Sequence, residues 1–465
     1  MKSIKLALPK GQLQNRTSLL LEEAGLSVDE YQGGSRCYRP GCETYPDLFL
    51  KVFQEKDIAI QVAIGNYDLG ICRSDWVDEL LAKFPSDAIV KLKDLGYGKR
   101  NLCVAAGDSY DNSSIEYFLR NTNGVRIVSE YPNLAQSFAL RNRLKRFRIF
   151  PIWGSAESYP PENAELAMIT TTSIDDLRSR NMVPVASMLE SSAYLIANRE
   201  SLQKRDLGKI VQALYQVEVH ENEAQTCDDR LPLEKKQTKS LQPLISIALP
   251  DGHQQKHTVA LLNRAGLEID GYTTGTPSVR PNIGIDGIAV KVVRPQDMPL
   301  QVANGNFDVA ITGRDWLHHH RYRFPASPVE ELLDLGFGKV RIVVVVHQDM
   351  PVDSTDDLRN ITKVTALRVA SEYINIADKY ARDHHLAPCK IIPTWGASEA
   401  FLPEDADVLI ENTETGSTIA KNNLKIIETL FESTGCVIVN MESMAIPAKQ
   451  ELINNLVNIL RRGIE

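Results

Sequence analysis

Ile4-Lys-Leu-Ala-Leu-Pro-Lys-Gly11 returns as Ile245-Ser-Ile-Ala-Leu-Pro-Asp-Gly252, 241 residues further along the chain. The echo recurs at nearly the same offset. Gln61-Val-Ala-Ile-Gly-Asn-Tyr-Asp68 returns as Gln301-Val-Ala-Asn-Gly-Asn-Phe-Asp308, Asp94-Leu-Gly-Tyr-Gly-Lys99 as Asp334-Leu-Gly-Phe-Gly-Lys339, and Pro151-Ile-Trp-Gly-Ser-Ala-Glu157 as Pro393-Thr-Trp-Gly-Ala-Ser-Glu399. Drift of one or two residues leaves room for small loop insertions only. A period this long marks a duplicated domain pair, because solenoid repeats run about 20 to 50 residues. Residues 1–217 then form a first copy, the polar stretch 218–242 a linker without apolar periodicity, and 243–465 a second copy.

Within each copy, β-rich runs such as Ile4–Leu8, Val340–Val346 and Val408–Ile410 alternate with helical patterns such as Gln12–Ala24 and Lys449–Arg461. That alternation predicts an α/β fold with parallel or mixed sheets, each copy long enough for two lobes. Ligands in such folds sit outside the carboxyl ends of strands, often between lobes.

Composition narrows the function classes. With 43% hydrophobic and 24% charged residues the chain can bury sizeable cores, and a net charge of −8 argues against a nucleic-acid partner, which would call for a basic footprint. No apolar run is long enough to span a bilayer, and the N-terminus carries no signal-peptide pattern, so a cytoplasmic protein without a membrane partner is expected. Seven cysteines, scattered without CxxC pairing, suit reduced thiols in that compartment.

The segment richest in chemistry is Val408-Leu-Ile-Glu-Asn-Thr-Glu-Thr-Gly-Ser-Thr-Ile419, read as strand, loop and helix. Thr415, Gly416, Ser417 and Thr418 place hydroxyls and a permissive glycine where backbone N–H groups can converge on an anion. Glu411 and Glu414 could accept ribose hydroxyls or help to hold Mg²⁺. A plain turn followed by an N-capping threonine gives the same pattern, so the motif alone leaves both readings open.

Context decides between them. A strand ending in an acidic residue followed by Glu414-Thr-Gly-Ser-Thr418 resembles the ribose-5-phosphate loop of ATP phosphoribosyltransferases, and other family-like signatures surround it. They are Leu8-Pro-Lys-Gly11, Arg294-Pro-Gln-Asp-Met-Pro299, the stretches at Asp68 and Asp308, Ile311-Thr-Gly-Arg-Asp315, the Asp-Leu-Gly-aromatic-Gly runs at Asp94 and Asp334, Ser129-Glu-Tyr-Pro-Asn-Leu-Ala135, and G-x-x-E at Gly154 and Gly396. The resemblance covers nearly all of both copies.

It implies two tandem copies of a two-lobed, periplasmic-binding-protein-like (type II) unit with mixed sheets. The implied reaction joins ATP to phosphoribosyl pyrophosphate with Mg²⁺ on the pyrophosphate, the first step of histidine biosynthesis. The second copy ends soon after its last helical pattern, which suits the short form of the family, and a homo-oligomer and a histidyl-tRNA-synthetase-like regulatory subunit are partners to expect. Carried over residue by residue, the resemblance assigns substrate binding to Glu399, Glu411, Thr413, Glu414, Thr415, Gly416, Ser417 and Thr418. It assigns pyrophosphate stabilisation to Arg294, with help from Arg314 or Arg341, because forked guanidinium groups suit a leaving group that gains charge. His253, beside the expected cleft, reads as structural.

The copies have diverged unequally. In the first, Ile169-Thr-Thr-Thr-Ser-Ile-Asp-Asp176 replaces the loop, so that Ile174 matches Gly416 and Asp176 matches Thr418; Gln54, Ser74 and Asn101 match Arg294, Arg314 and Arg341. A β-branched residue resists the glycine conformation and paired aspartates repel phosphate, so the first copy is not expected to bind phosphoribosyl pyrophosphate in the family manner. The second copy in turn carries Asp251 where the first has Lys10. Two readings of Lys10 follow: a composite site in which it reaches the phosphates bound by the second copy, or a solvated lysine at a strand end. A non-catalytic ligand-binding paralogue and a phosphoribosyltransferase with another acceptor are the alternatives for the chain as a whole.

Overall fold

The structure, a computed structural model, describes residues 3–35, 37–108, 115–120, 124–217, 244–275 and 277–464; the expected linker 218–242 lies outside them. Among the described residues the strands form four five-stranded sheets, two in each copy. In the first copy, Leu48–Phe53, Ile4–Pro9, Leu69–Arg73, Ala193–Asn198 and Ile89–Asp94 lie side by side in that order. The second sheet runs Phe147–Pro151, Val125–Ser129, Leu166–Thr171, Arg100–Gly107, Met182–Ser191. The second copy repeats both orders with the matching strands.

In every sheet four strands run the same way and the strand fourth in that order runs against them. The reversed strand of the first lobe, Ala193–Asn198, arrives only after the chain has built the second lobe, so each copy is two lobes joined by two crossings. This is the α/β, two-lobed arrangement in tandem that the sequence predicts.

The local reasons are ordinary. Val343, Val344, Val345 and Val346 are fully buried on both faces of their strand, as a sheet covered by helices on each side requires. The helix Gln14–Glu23 buries Gln14, Thr17, Leu20 and Leu21, a stripe at helical spacing.

What the sequence does not announce is how the copies meet. The first lobe of each packs on the second lobe of the other, and matching residues make matching contacts, as across a twofold axis. Lys51 places Nζ 2.7 Å from both Glu404 and Asp405; its counterpart Lys291 places Nζ 2.8 Å from Glu162 and 2.5 Å from Asn163. Apolar cores cross the junction as well. Phe53 and Phe401 meet edge to face at 5.2 Å, and one core joins Leu6 and Val52 to Leu409 and Ile419. A second core joins Ala105 and Tyr159 to Val293 and Phe307. Each copy therefore completes the other's hydrophobic interior.

Candidate functional site

The strand Val408–Thr413 sits in the middle of its sheet and ends at the cleft between the lobes of the second copy. Gly416 then turns the chain with φ of 78°, a left-handed conformation that a β-branched side chain would resist. Thr413 Oγ1 accepts the Gly416 N–H at 2.9 Å and Thr415 Oγ1 accepts that of Ser417 at 3.3 Å. The helix that follows, Ser417–Lys421, is only five residues long. An anion at this turn would meet hydroxyls and backbone amides rather than a long helix dipole.

The turn opens on a cavity of about 570 Å³. Thr413, Glu414, Thr415, Ser417 and Thr418 line one side, and Asp251–Gln254 with Arg294 line the other, all at carboxyl ends of strands. Glu399 and Glu411 are there too. So are Lys10 and Tyr38, from the first copy. Lys10 Nζ donates to Tyr38 Oη at 2.9 Å and stands 4.7 Å over its ring. Tyr38 anchors to the Leu48–Phe53 strand by accepting the Val52 N–H, a role taken in the second copy by Val279 toward Val292, which has no phenol to offer.

Arg294 also bridges the copies. Its Nη1 is 3.3 Å from Asp251, and its side chain lies against Gly154, where an added Cβ would come within 2.8 Å of Nε. Asp251, in turn, accepts from Ser155 at 3.4 Å. Burial lifts the Asp251 carboxyl above its usual range despite Arg294. Arg314 and Arg341 do not line the cavity: the Arg314 guanidinium is held by Glu331 and, at 3.0 Å, by Asp334. His253 lines it and lies 3.8 Å from Glu414.

Three carboxyls crowd the floor. Burial, reinforced by Glu399, pushes Glu372 up to about 7, and burial with Glu372 and Glu399 nearby drives Glu411 well above the carboxylate range. Like charges so close favour keeping a proton until a cation arrives. Glu372 was legible only as the middle of a recurring Ser-Glu-Tyr triplet, and Tyr38 left no motif at all.

The first copy shows why its own loop is closed. Asp176 turns back on the loop, accepting from Thr171 Oγ1 at 2.8 Å, from the Thr172 N–H at 3.3 Å and from the Arg180 guanidinium. Burial alone would raise this carboxyl; the hydrogen bonds from Arg180 and Thr171 outweigh it and hold it below the usual value. An internal carboxylate, at the position of Thr418, thus occupies the first copy's turn.

The family model for ATP phosphoribosyltransferase matches the chain twice, over residues 54–216 and 294–462, more than two thirds of its length. The chain belongs to the ATP phosphoribosyltransferase family. It is a phosphoribosyltransferase of histidine biosynthesis, built as two copies of the family's unit. The ATP phosphoribosyltransferase of Geotalea uraniireducens is 32% identical over 227 residues, 48% of this chain and 73% of that protein. That of Chlorobaculum parvum is 34% identical over 227 residues, 48% of this chain and 72% of that protein. Among solved structures, an ATP phosphoribosyltransferase complex from Thermotoga maritima is 22% identical with a TM-score of 0.39, over 47% of this chain and 98% of that one.

Proposed function

We propose that the chain condenses ATP with phosphoribosyl pyrophosphate in the cleft of its second copy, with the first copy supplying Lys10 and Tyr38 to the wall. The carrying observation is that these two residues line the same cavity as Arg294 and the Thr415–Thr418 turn. The 5-phosphate rests on the Thr415, Ser417 and Thr418 hydroxyls and neighbouring amides. Glu411 and Glu414 face the ribose hydroxyls. The adenine N1 lone pair forms the new bond to the ribose C1, and the C1–O bond breaks with its electron pair leaving on pyrophosphate. Arg294 and Lys10 stabilise that departing charge, and the ionised Glu372 stabilises the cationic character at the sugar. Arg314, tied to its own carboxylates, supports the wall from outside.

Mg²⁺ fits this donor set. Glu399, Glu411 and Glu414 offer hard oxygens, and among the described residues no group of three or more His, Cys, Asp and Glu is arranged to hold a metal by itself. One or two of these carboxylates would hold the ion together with substrate phosphates, and it would supply positive charge to the leaving pyrophosphate. We place the protein in the cytoplasm; the six described cysteines are all free thiols, and no helix among the described residues is long and apolar enough to cross a membrane.

Following phosphoribosyl-ATP by absorbance with pyrophosphatase present tests the reaction. Running it with and without an added histidyl-tRNA-synthetase-like subunit tests whether the chain acts alone. Lys10→Ala is expected to lower kcat/KM for phosphoribosyl pyrophosphate by roughly ten- to a hundredfold, the scale of one charged contact to a departing anion; unchanged kinetics would remove the composite site.

A further inference from the structure

The first copy carries three arginines of its own at positions where the second has none. Arg73 and Arg100 are matched by Gly313 and Val340, and Arg180 by Asn422. Two of them stand one residue before the arginines of the second copy: Ser74, after Arg73, matches Arg314, and Asn101, after Arg100, matches Arg341. Successive side chains of a strand point to opposite faces, so a one-residue step at the start of Arg100–Gly107 carries a guanidinium from one side of the sheet to the other. Arg314 turns onto Glu331 and Asp334, away from its cleft. Arg73 and Arg100 instead both donate to Gln12 Oε1, an exposed residue at the mouth of the first copy's cleft.

Charge is not balanced among these arginines. Arg73 Nη1 is 2.7 Å from Glu55, which also accepts the Arg73 N–H at 3.1 Å, and Arg73 Nε donates to the Gly98 carbonyl at 3.2 Å. Arg180 holds Asp176. Asp75 accepts from the Tyr131 hydroxyl at 3.2 Å and from the Trp76 N–H at 2.7 Å. Among the described residues, Arg100 donates only to neutral oxygens, the Gln12 amide and, at 3.5 Å, Thr170 Oγ1, which leaves most of its N–H donors for a ligand. Burial and the neighbouring Arg73 pull its pKa below the usual arginine value despite Glu55 and Asp75, as expected for a charge without a counter-ion. One surplus positive charge therefore remains, on a planar fork between Gln12 of the first lobe and Thr170 of the second.

We propose that the cleft of the first copy is an effector site for a small monocarboxylate, gripped by the Arg100 fork between Gln12 and Thr170 and read out through Lys10. A guanidinium fork matches a carboxylate bidentately. A single negative charge is what the site compensates; a phosphate dianion would bring a second one near Glu55 and Asp75 with no cation left to meet it. The route to the neighbouring cleft is short. Gln12 and Lys10 flank Gly11, which makes their common turn at φ of 88°, and Lys10 lines the second copy's cavity. A carboxylate that takes the fork from Gln12 leaves Arg73, at 3.3 Å, as that side chain's remaining guanidinium tether. Arg100 also opens the second lobe directly after the crossing at residues 95–99, whose Gly98 carbonyl Arg73 holds, so the anion bears on the hinge too. The readout rests on the reaction proposed above; the binding does not.

Acetate is the probe for binding, followed on the full chain by saturation-transfer NMR of its methyl signal at constant ionic strength. Saturable binding is expected, weakened about tenfold or more in Arg100→Val, which installs the second-copy residue; that is the scale of a charged hydrogen bond. Arg100→Gln shows the same direction should the valine variant misfold. Formate is expected to displace acetate and inorganic phosphate to compete poorly. In the phosphoribosyl-ATP assay, saturating acetate is expected to raise the KM for phosphoribosyl pyrophosphate about fivefold, the low end of coupling between sites, and to leave that of Arg100→Val unchanged. Acetate that does not bind, that binds Arg100→Val and Arg100→Gln as it binds the wild type, or that yields to phosphate more readily than to formate overturns the site. Binding through Arg100 with an unchanged KM in an active chain overturns the effector role. A chain that binds acetate through Arg100 but forms no phosphoribosyl-ATP instead sinks the reaction reading and leaves the anion site standing.

Discussion

Replacing Lys51 by Met tests whether the tandem is one folding unit. Lys51 is fully buried, and its ammonium is 2.7 Å from both Glu404 and Asp405 of the other copy. Methionine keeps the length and removes the charge. Glu404 is about a quarter exposed and keeps Arg39 at 2.9 Å, so it can rehydrate. Asp405, 2% exposed, keeps the Tyr67 hydroxyl at 3.1 Å and becomes a nearly bare buried charge. Breaking such a pair costs about 3–5 kcal/mol at neutral pH.

Lys291 supplies the internal control. Its partners are the neutral Asn163 and Glu162, which is half exposed and retains Arg280 at 2.8 Å. Lys291→Met is therefore expected to cost about 1–2 kcal/mol, on the order of a charged hydrogen bond. Urea unfolding followed by tryptophan fluorescence, which reads the junction, and by far-ultraviolet circular dichroism measures both. Equal costs, or a Lys51→Met cost under about 1 kcal/mol, would refute the account of the junction.

Two further outcomes follow from the cleft. With Glu372 held near 7, kcat/KM should rise about tenfold per pH unit below that value and level off above it, and Glu372→Gln should abolish this limb and lower the plateau; a wild-type limb preserved in the variant assigns it elsewhere. The stability effect runs the opposite way, since a raised carboxyl pKa favours the fold below the ordinary value and loses that contribution as pH climbs through about 7. Gly416→Ile, which copies the first-copy loop, forces a β-branched residue to φ of 78° and is expected to raise the KM for phosphoribosyl pyrophosphate by roughly tenfold or more while sparing ATP binding measured by fluorescence. Equal loss of both would show that the turn supports the whole cleft.

Spacing along the chain was enough for the duplication, the lobes and the turn at Gly416, because each is encoded locally. The echoes at offsets of 240 to 242 residues mark two copies, the run at Val340–Val346 marks a strand that the structure extends to His347, and the glycine in Glu414-Thr-Gly-Ser-Thr418 marks a left-handed turn. Comparing the copies with each other also showed which loop had lost its glycine, although not that Asp176 would turn back to accept from Thr171 and Thr172.

Contacts between residues far apart in sequence were decided only in three dimensions. Nothing in the order of residues says that the first lobe of one copy completes the second lobe of the other, that Tyr38 stands beside Lys10 at the second copy's cleft, or that Arg314 spends its charge on Glu331. The four tryptophans are spread from Trp76 to Trp395, yet they converge on one space. The physical reason is that turn geometry and hydrophobic periodicity are properties of a few consecutive residues, whereas a cavity is a property of side-chain directions from elements that meet only when both copies have folded together.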